Sequence, residues 1–219
     1  MLVHPVYRVV VFVAKMMFRE LFDGNIYGDE NIPRRGPCLL ACNHLSFFDP
    51  PSIGSAVSNR EVFSLARSSL FGTRLRNWLF SHMNCIPVPR DGVGFTAIKA
   101  ALNLLGEGKC VMIYPEGTRS LDGSTGDPHG GVGMLACKTM APVVPCRIFG
   151  MFEIMGRSNR FFDWNRGANI VFGAPLLASD YIVSGSARDK YKLASQKIMD
   201  SVRNLQIPER RGAKRRKRR

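Results

Sequence analysis

The chain has 219 residues, 45% of them hydrophobic, which fits one globular domain with a terminal appendage and excludes a disordered polymer. Its 31 basic and 17 acidic residues give a formal net charge of +14, yet eight of the basic residues lie in the acid-free tail Arg210–Arg219. The remaining 23 basic and 17 acidic residues leave a net of +6, so the body is mildly basic and the tail is a polycation.

Such a tail attracts any polyanion, nucleic acid or anionic lipid. The opposite terminus favours lipid, and no specific nucleic acid is expected. Leu2 to Phe22 is rich in Val, Phe and Met but is interrupted by Arg8, Lys15 and Arg19. No uncharged run approaches the ~18 residues of a spanning helix. A secretory leader is not expected either, because Val9–Ala14 between Arg8 and Lys15 is short and no small-residue cleavage site follows. The segment reads as an amphipathic helix lying in a membrane interface, or as an ordinary helix packed on the domain.

Asp23-Gly24 ends that helix, and Asn25–Gly28 is a short strand candidate ahead of a turn at Pro33–Pro37. Cys38-Leu39-Leu40-Ala41-Cys42 is an apolar run bounded by turn signals, as suits a buried strand. Asp49-Pro50 then predicts a helix with Asp49 as N-cap and proline in its first position. A strand over Val62–Leu65, a helix over Gly72–Met83 and a strand over Ile86–Val88 follow. Phe95–Leu105 repeats apolar residues at helical spacing until Gly106-Glu107-Gly108 stops it, and Cys110–Tyr114 is an apolar strand. Leu121–Gly133, with its many glycines, predicts a mobile loop. Beyond it come a helix at Met134–Met140 and strands at Pro142–Phe149 and Asn169–Phe172, and Asp180–Leu205 is mostly amphipathic helix.

Strands alternating with helices predict an α/β single domain with a mostly parallel or mixed central sheet flanked by helices. Ligands in such sheets gather beyond the carboxyl ends of the strands. The six cysteines at 38, 42, 85, 110, 137 and 146 form no paired metal-ligand motif, and they read as reduced core residues of a cytosolic protein.

Two motifs fall at predicted strand ends. Asn43-His44-Leu45-Ser46-Phe47-Phe48-Asp49 follows the first central strand, and Tyr114-Pro115-Glu116-Gly117-Thr118-Arg119-Ser120 follows the Cys110–Tyr114 strand. In a regular helix, His44 and Asp49 stand about 140° apart round the axis and do not meet. They meet only if Leu45–Phe48 turn back, and the carboxylate then orients one ring nitrogen and leaves the other free as a base. The plainer reading keeps Asp49 as a helix cap and His44 as an ordinary strand-end residue. Asn43 and Ser46 are expected to hydrogen-bond within the turn. Arg119 offers a bidentate fork suited to phosphate, and Arg90, closing Cys85–Arg90, offers a second. Gly117 permits close backbone approach, while Glu116 either holds Arg119 or takes an acceptor hydroxyl. Of the other histidines, His4, His82 and His129 read as surface residues. No nucleophile elbow, P-loop or dinucleotide fingerprint is present.

These blocks resemble those of the lysophosphatidate (1-acylglycerol-3-phosphate) acyltransferases of the PlsC-like glycerolipid acyltransferase superfamily. Residues 43–49 match the Asn-His-x-Ser-x-x-Asp block and 115–120 the Pro-Glu-Gly-Thr-Arg-Ser block in full. Ile86–Arg90 and Ala141–Pro145 correspond to the two weaker blocks. The resemblance spans roughly residues 20–180. It implies that His44 deprotonates the acceptor hydroxyl, that Asp49 orients it, and that Arg90, Glu116, Gly117, Thr118 and Arg119 line the acceptor site. Many relatives carry a Lys-Gly pair after the third block, where this chain has Asp127-Pro128-His129-Gly130-Gly131.

The expected layout is an interfacial helix at 1–24, an acyltransferase domain at 25–206 and a polybasic tail at 207–219. The expected reaction moves a fatty acyl group from acyl-CoA or acyl carrier protein to the sn-2 hydroxyl of 1-acyl-sn-glycerol 3-phosphate. It needs no cofactor and no metal. The enzyme is expected peripherally or monotopically on the cytoplasmic face of an anionic membrane. Another lysolipid, or glycerol 3-phosphate, stays open as acceptor. Thioester hydrolysis and a non-catalytic binding role for the tail are the rival readings.

Overall fold

Every residue of Cys38-Leu39-Leu40-Ala41-Cys42 is fully buried, which makes this strand the spine of the molecule. Complete burial of a leucine stabilises by roughly 1.5–3 kcal/mol. A strand that alternates its side chains between two dry faces therefore needs helices on both. The computed structural model describes residues 5–89, 93–156, 163 and 167–209.

In chain order the elements are α1 Pro5–Leu21, β1 Asn25–Tyr27, β2 Cys38–Cys42, α2 Asp49–Ala56, β3 Val62–Arg67, α3 Arg74–His82, β4 Cys85–Val88, α4 Val93–Gly106, β5 Cys110–Ile113, α5 Gly131–Thr139, β6 Val143–Phe149, α6 Met151–Met155, β7 Asn169–Phe172, α7 Ala178–Tyr181 and α8 Ala187–Arg203. The sheet has seven strands in the order β1-β7-β6-β2-β5-β3-β4. Neighbours run parallel except β6 and β7, which are antiparallel. The sheet is thus mixed, in an α/β architecture, as the alternation of elements predicts. Leu40, Cys42 and Met112 face a core shared with Phe18 and Phe22 at the α1 end and with Ile53 of α2. Leu39, Ala41 and Val111 face the opposite core, filled by α4, α5 and α8.

The C-terminal stretch is mostly helix, as expected, but in two pieces. It breaks after Tyr181 and restarts at Ala187, where the Ser186 side chain accepts from the Asp189 N–H and caps the new helix. Gly185 in the gap has a φ of 143°, outside helical geometry. Once restarted, α8 buries Ala194, Ser195, Ile198, Met199 and Val202 as one stripe. It lies so close to α5 that a Cβ at Gly133 would stand 2.0 Å from the Tyr191 carbonyl oxygen. The expected loop over Leu121–Gly133 is correspondingly shorter, because α5 already begins at Gly131. The short α6 escapes the sequence reading altogether.

All six cysteines are free thiols, and all but the half-buried Cys137 are buried. Cys42 and Cys146 are register partners across β2 and β6, and burial pushes the Cys42 thiol well above its ordinary value.

Candidate active site

β2 and β5 are hydrogen-bonded neighbours running the same way, so the segments after Cys42 and after Ile113 emerge side by side. Asn43 continues the ladder with its side chain. Its amide donates to the Ile148 carbonyl at 3.0 Å and accepts from the Ile148 N–H at 2.8 Å. Asn43 therefore ties the turn to β6 instead of bonding within the turn as expected. Ser46 does both, because its hydroxyl donates to the Met155 carbonyl at 2.7 Å and accepts from Phe48 N–H at 3.3 Å.

The chain then turns back, and α2 starts at Asp49 itself with Phe48 in the N-cap position. Asp49 is thus not the cap that the Asp-Pro pair suggests. Its Oδ2 instead accepts the Leu45 and Ser46 N–H groups at 2.6 and 2.7 Å. It also lies 2.8 Å from Nδ1 of His44. An oxygen already taking two backbone donors is an ionised acceptor, so the imidazole proton belongs on Nδ1 and Nε2 keeps its lone pair. Asp49 is completely buried, while the His44 side chain keeps 17% of its surface exposed. Among the described residues Nε2 has no hydrogen-bond partner.

Tyr114, to which the sequence assigns no role, supports the other side of the ring. Its ring stacks on His44 with centroids 3.9 Å apart and planes 15° from parallel. Burial, reinforced by the Asp49 charge, holds the phenol well above its usual pKa, so the stacking partner is neutral. An aromatic residue closing the β5 run was the available signal.

Residues 115–120 wrap round this pair. Gly117 donates to the Tyr114 carbonyl at 3.0 Å and adopts a φ of 67°. A side chain there would be strained and would meet the His129 ring at 2.9 Å. Ser120 N–H donates to the His44 carbonyl at 2.8 Å, which clasps the two motif segments together and sets Arg119 one residue from the imidazole's own backbone. Arg119 is half-buried, and its guanidinium has no protein partner among the described residues. Gly117 and Thr118 are exposed. Arg90 lies outside the described residues.

Glu116 does not hold Arg119. It is 5% exposed, with the backbone N–H groups of His44 and Gly126 turned toward its carboxylate. Burial outweighs these donors and pushes its pKa up to about 7. Glu116 Oε1 and Asp49 Oδ1 are both buried without a hydrogen-bond partner among the described residues. Gly126 is fixed in turn from α8, since Arg203 donates to its carbonyl at 2.8 Å and pairs with Asp127 at 2.9 Å. The loop is thus tied down at the position where relatives are expected to carry lysine.

The site thus sets a carboxylate-steadied imidazole at the strand ends of an α/β sheet, in a turn clasped to the segment that carries Arg119. The family model described as Acyltransferase matches residues 24–149, and the chain belongs to that family. It is 29% identical to the chloroplastic 1-acyl-sn-glycerol-3-phosphate acyltransferase of Brassica napus over 82% of its own length and 54% of that protein. It is also 29% identical to the 1-acyl-sn-glycerol-3-phosphate acyltransferase of Bacillus subtilis, over 71% of this chain and 75% of that one. The crystal structure of the 1-acyl-sn-glycerophosphate acyltransferase PlsC from Thermotoga maritima superposes with a TM-score of 0.71 at 24% identity, covering 92% of this chain and 81% of that one, which establishes the shared fold. The chain spans about half the length of the plant relatives it matches.

Proposed function

We propose that this protein transfers a fatty acyl group from an acyl thioester, of coenzyme A or acyl carrier protein, to the sn-2 hydroxyl of 1-acyl-sn-glycerol 3-phosphate, giving phosphatidate for phospholipid synthesis. The 2.8 Å pairing of His44 with Asp49, leaving Nε2 free, is the observation that carries the proposal. The Brassica and Bacillus relatives, both named 1-acyl-sn-glycerol-3-phosphate acyltransferases, support the choice of acceptor.

In the proposed sequence Nε2 of His44 takes the hydroxyl proton as the acceptor oxygen attacks the thioester carbonyl. The C–O bond forms and the carbonyl π electrons move to oxygen. Asp49 stabilises the resulting imidazolium, as a buried carboxylate beside Nδ1–H does. Collapse of the tetrahedral intermediate breaks the C–S bond, and the departing thiolate takes the proton back from Nε2. The acyl group arrives activated in the thioester, so the step calls for no cofactor. Arg119, with Arg90, serves as the phosphate fork, and Glu116, Gly117 and Thr118 line the acceptor site.

The lipid nature of the acceptor gives α1 a purpose. Tyr7 and Phe18 are buried, yet Val9, Phe12, Val13 and Met16 project outward at 48–63% exposure. A helix apolar on both sides needs cover on its outer face. No helix among the described residues is long and apolar enough to cross a membrane. We assign α1 to peripheral or monotopic attachment, on the cytoplasmic face, with the tail Arg210–Arg219 adding attraction to anionic lipid. The division into an interfacial helix (1–24), an acyltransferase domain (25–206) and a tail (207–219) belongs to the same proposal.

The test measures transfer of radiolabelled acyl chains from acyl-CoA and from acyl carrier protein to lysophosphatidate, glycerol 3-phosphate and a lysophospholipid without a terminal phosphate. The proposal expects lysophosphatidate to be preferred. Equal use of the phosphate-free lipid would remove the phosphate fork, and thioester loss without any acceptor would make the protein a hydrolase.

A further inference from the structure

α3 is a nine-residue helix with no buried residue. Helices are stabilised in proteins mainly by burying an apolar face, and α3 leaves a large part of its own uncovered. Leu75 is 73% and Trp78 49% exposed, three residues apart on one side of the helix. The Trp78 ring lies against His82, centroids 4.7 Å apart, which extends the stripe by one more turn.

The charge around the stripe has one sign. Arg67, Arg74 and Arg76 are all exposed, and no Asp or Glu occurs between Val62 and Pro89. Met83, directly after α3, lines a largely apolar cleft together with Tyr7, Val10 and Val11 of α1. The end of α3 therefore borders α1 across this cleft. α3 also starts just beyond the carboxyl end of β3, the sheet end at which β2 and β5 deliver His44 and Glu116.

From this geometry we infer that α3 is a second membrane-docking element, with Leu75 and Trp78 inserted at headgroup depth and Arg67, Arg74 and Arg76 contacting anionic phospholipid. Tryptophan suits that depth because an apolar ring carries one polar N–H. Two contacts, α1 and α3, fix the orientation of the sheet on the bilayer where one helix would let it swivel. They hold the site mouth at a set distance from the surface. The inference rests on the lipid-acceptor reading for its purpose, but its measurement is independent.

The experiment uses the full chain carrying Trp164→Phe, so that Trp78 is the sole tryptophan, and vesicles of phosphatidylcholine with or without phosphatidylglycerol. On phosphatidylglycerol vesicles Trp78 emission should move to the blue and be quenched by lipids brominated along the chain. Leu75→Ser/Trp78→Ser in the otherwise native chain should weaken vesicle partition about tenfold. Leu193→Ser, at an equally exposed site on α8, should leave it unchanged. Unchanged emission, undiminished partition of the double variant, or equal binding to pure phosphatidylcholine would overturn the inference. So would concentration-dependent self-association abolished by the double variant, which would give the stripe to a second copy. A short-chain, monomeric lysophosphatidate separates the two readings, because the double variant should match the native rate on it. If the native protein fails to acylate it, the proposed reaction falls while the vesicle result still decides the docking.

Discussion

The two ends of the sheet use arginine in opposite ways. At the amino end Arg60 gives its guanidinium to three carbonyls, those of Pro33, Gly36 and Gly108, at 2.8–2.9 Å. At the carboxyl end Arg119 has no protein partner among the described residues, and the buried oxygens Glu116 Oε1 and Asp49 Oδ1 are likewise unmatched. At the first end the guanidinium is taken up by the protein's own carbonyls. The other keeps charged and polar groups waiting, and buried polar groups are normally satisfied in folded proteins. The amino end has unmatched buried atoms too, Asn59 Oδ1 and Asn84 Nδ2, but these belong to neutral amides, and it is the unmatched ionisable groups at the carboxyl end that mark where a charged ligand belongs.

Four experiments break or sharpen this contrast. The largest effect is expected from His44→Ala, which removes the proposed base and should lower acyl transfer on the order of 10²–10⁴-fold while the melting temperature holds. Near-native turnover in steady-state assays would take the base role away from His44. Arg119→Ala comes next. It should raise the Michaelis constant for lysophosphatidate about tenfold or more, with a much smaller change for a phosphate-free acceptor, because a charge-assisted fork is lost. Arg60→Ala should do the reverse, costing roughly 2 kcal/mol of stability in urea titration as three carbonyls lose a charged donor, with the acceptor Michaelis constant unchanged. A shift of that constant would mean that the two ends are coupled.

The smallest effect concerns pH. Glu116 is raised from 4.5 to about 7 in the folded chain, chiefly by burial. Between those values the folded protein holds a proton that the unfolded chain has released, so this group's contribution to stability falls as pH rises from 4.5 through about 7 and then levels off. Glu116→Gln should flatten that part of the stability profile, measured by urea unfolding at pH 5 and pH 8. An unaltered slope would show that the carboxyl is not the titrating group.

Most of the fold was legible because β2 and β5 are uninterrupted apolar runs and β6 is apolar apart from Arg147, and such runs between turn signals leave few alternatives to a buried strand. α6 and the break in the C-terminal helical segment were not, since α6 spans only Met151–Met155 and the break depends on local capping by Ser186. The site was legible as far as its residue types. Spacing alone allowed His44 and Asp49 to meet only through a turn, and the turn forms because Asp49 gathers two backbone N–H groups as well as the ring. Two contacts had no sequence signal of their own. Asn43 reaches a strand more than a hundred residues away, and Glu116 turns to backbone instead of to the neighbouring arginine.

The edge strand β4 carries Pro87, in register with Ala66. The Ser64 N–H donates to the Asn84 carbonyl, so alternate residues 84, 86 and 88 address β3 while 85 and 87 address the outside. The imide nitrogen of Pro87 therefore falls in the outward row, where an incoming strand would look for a donor and find none. That gap guards the margin of the sheet against unwanted strand addition. Partners approaching from this side must bind through side chains, which leaves the basic, tryptophan-bearing helix beside it as the natural point of contact.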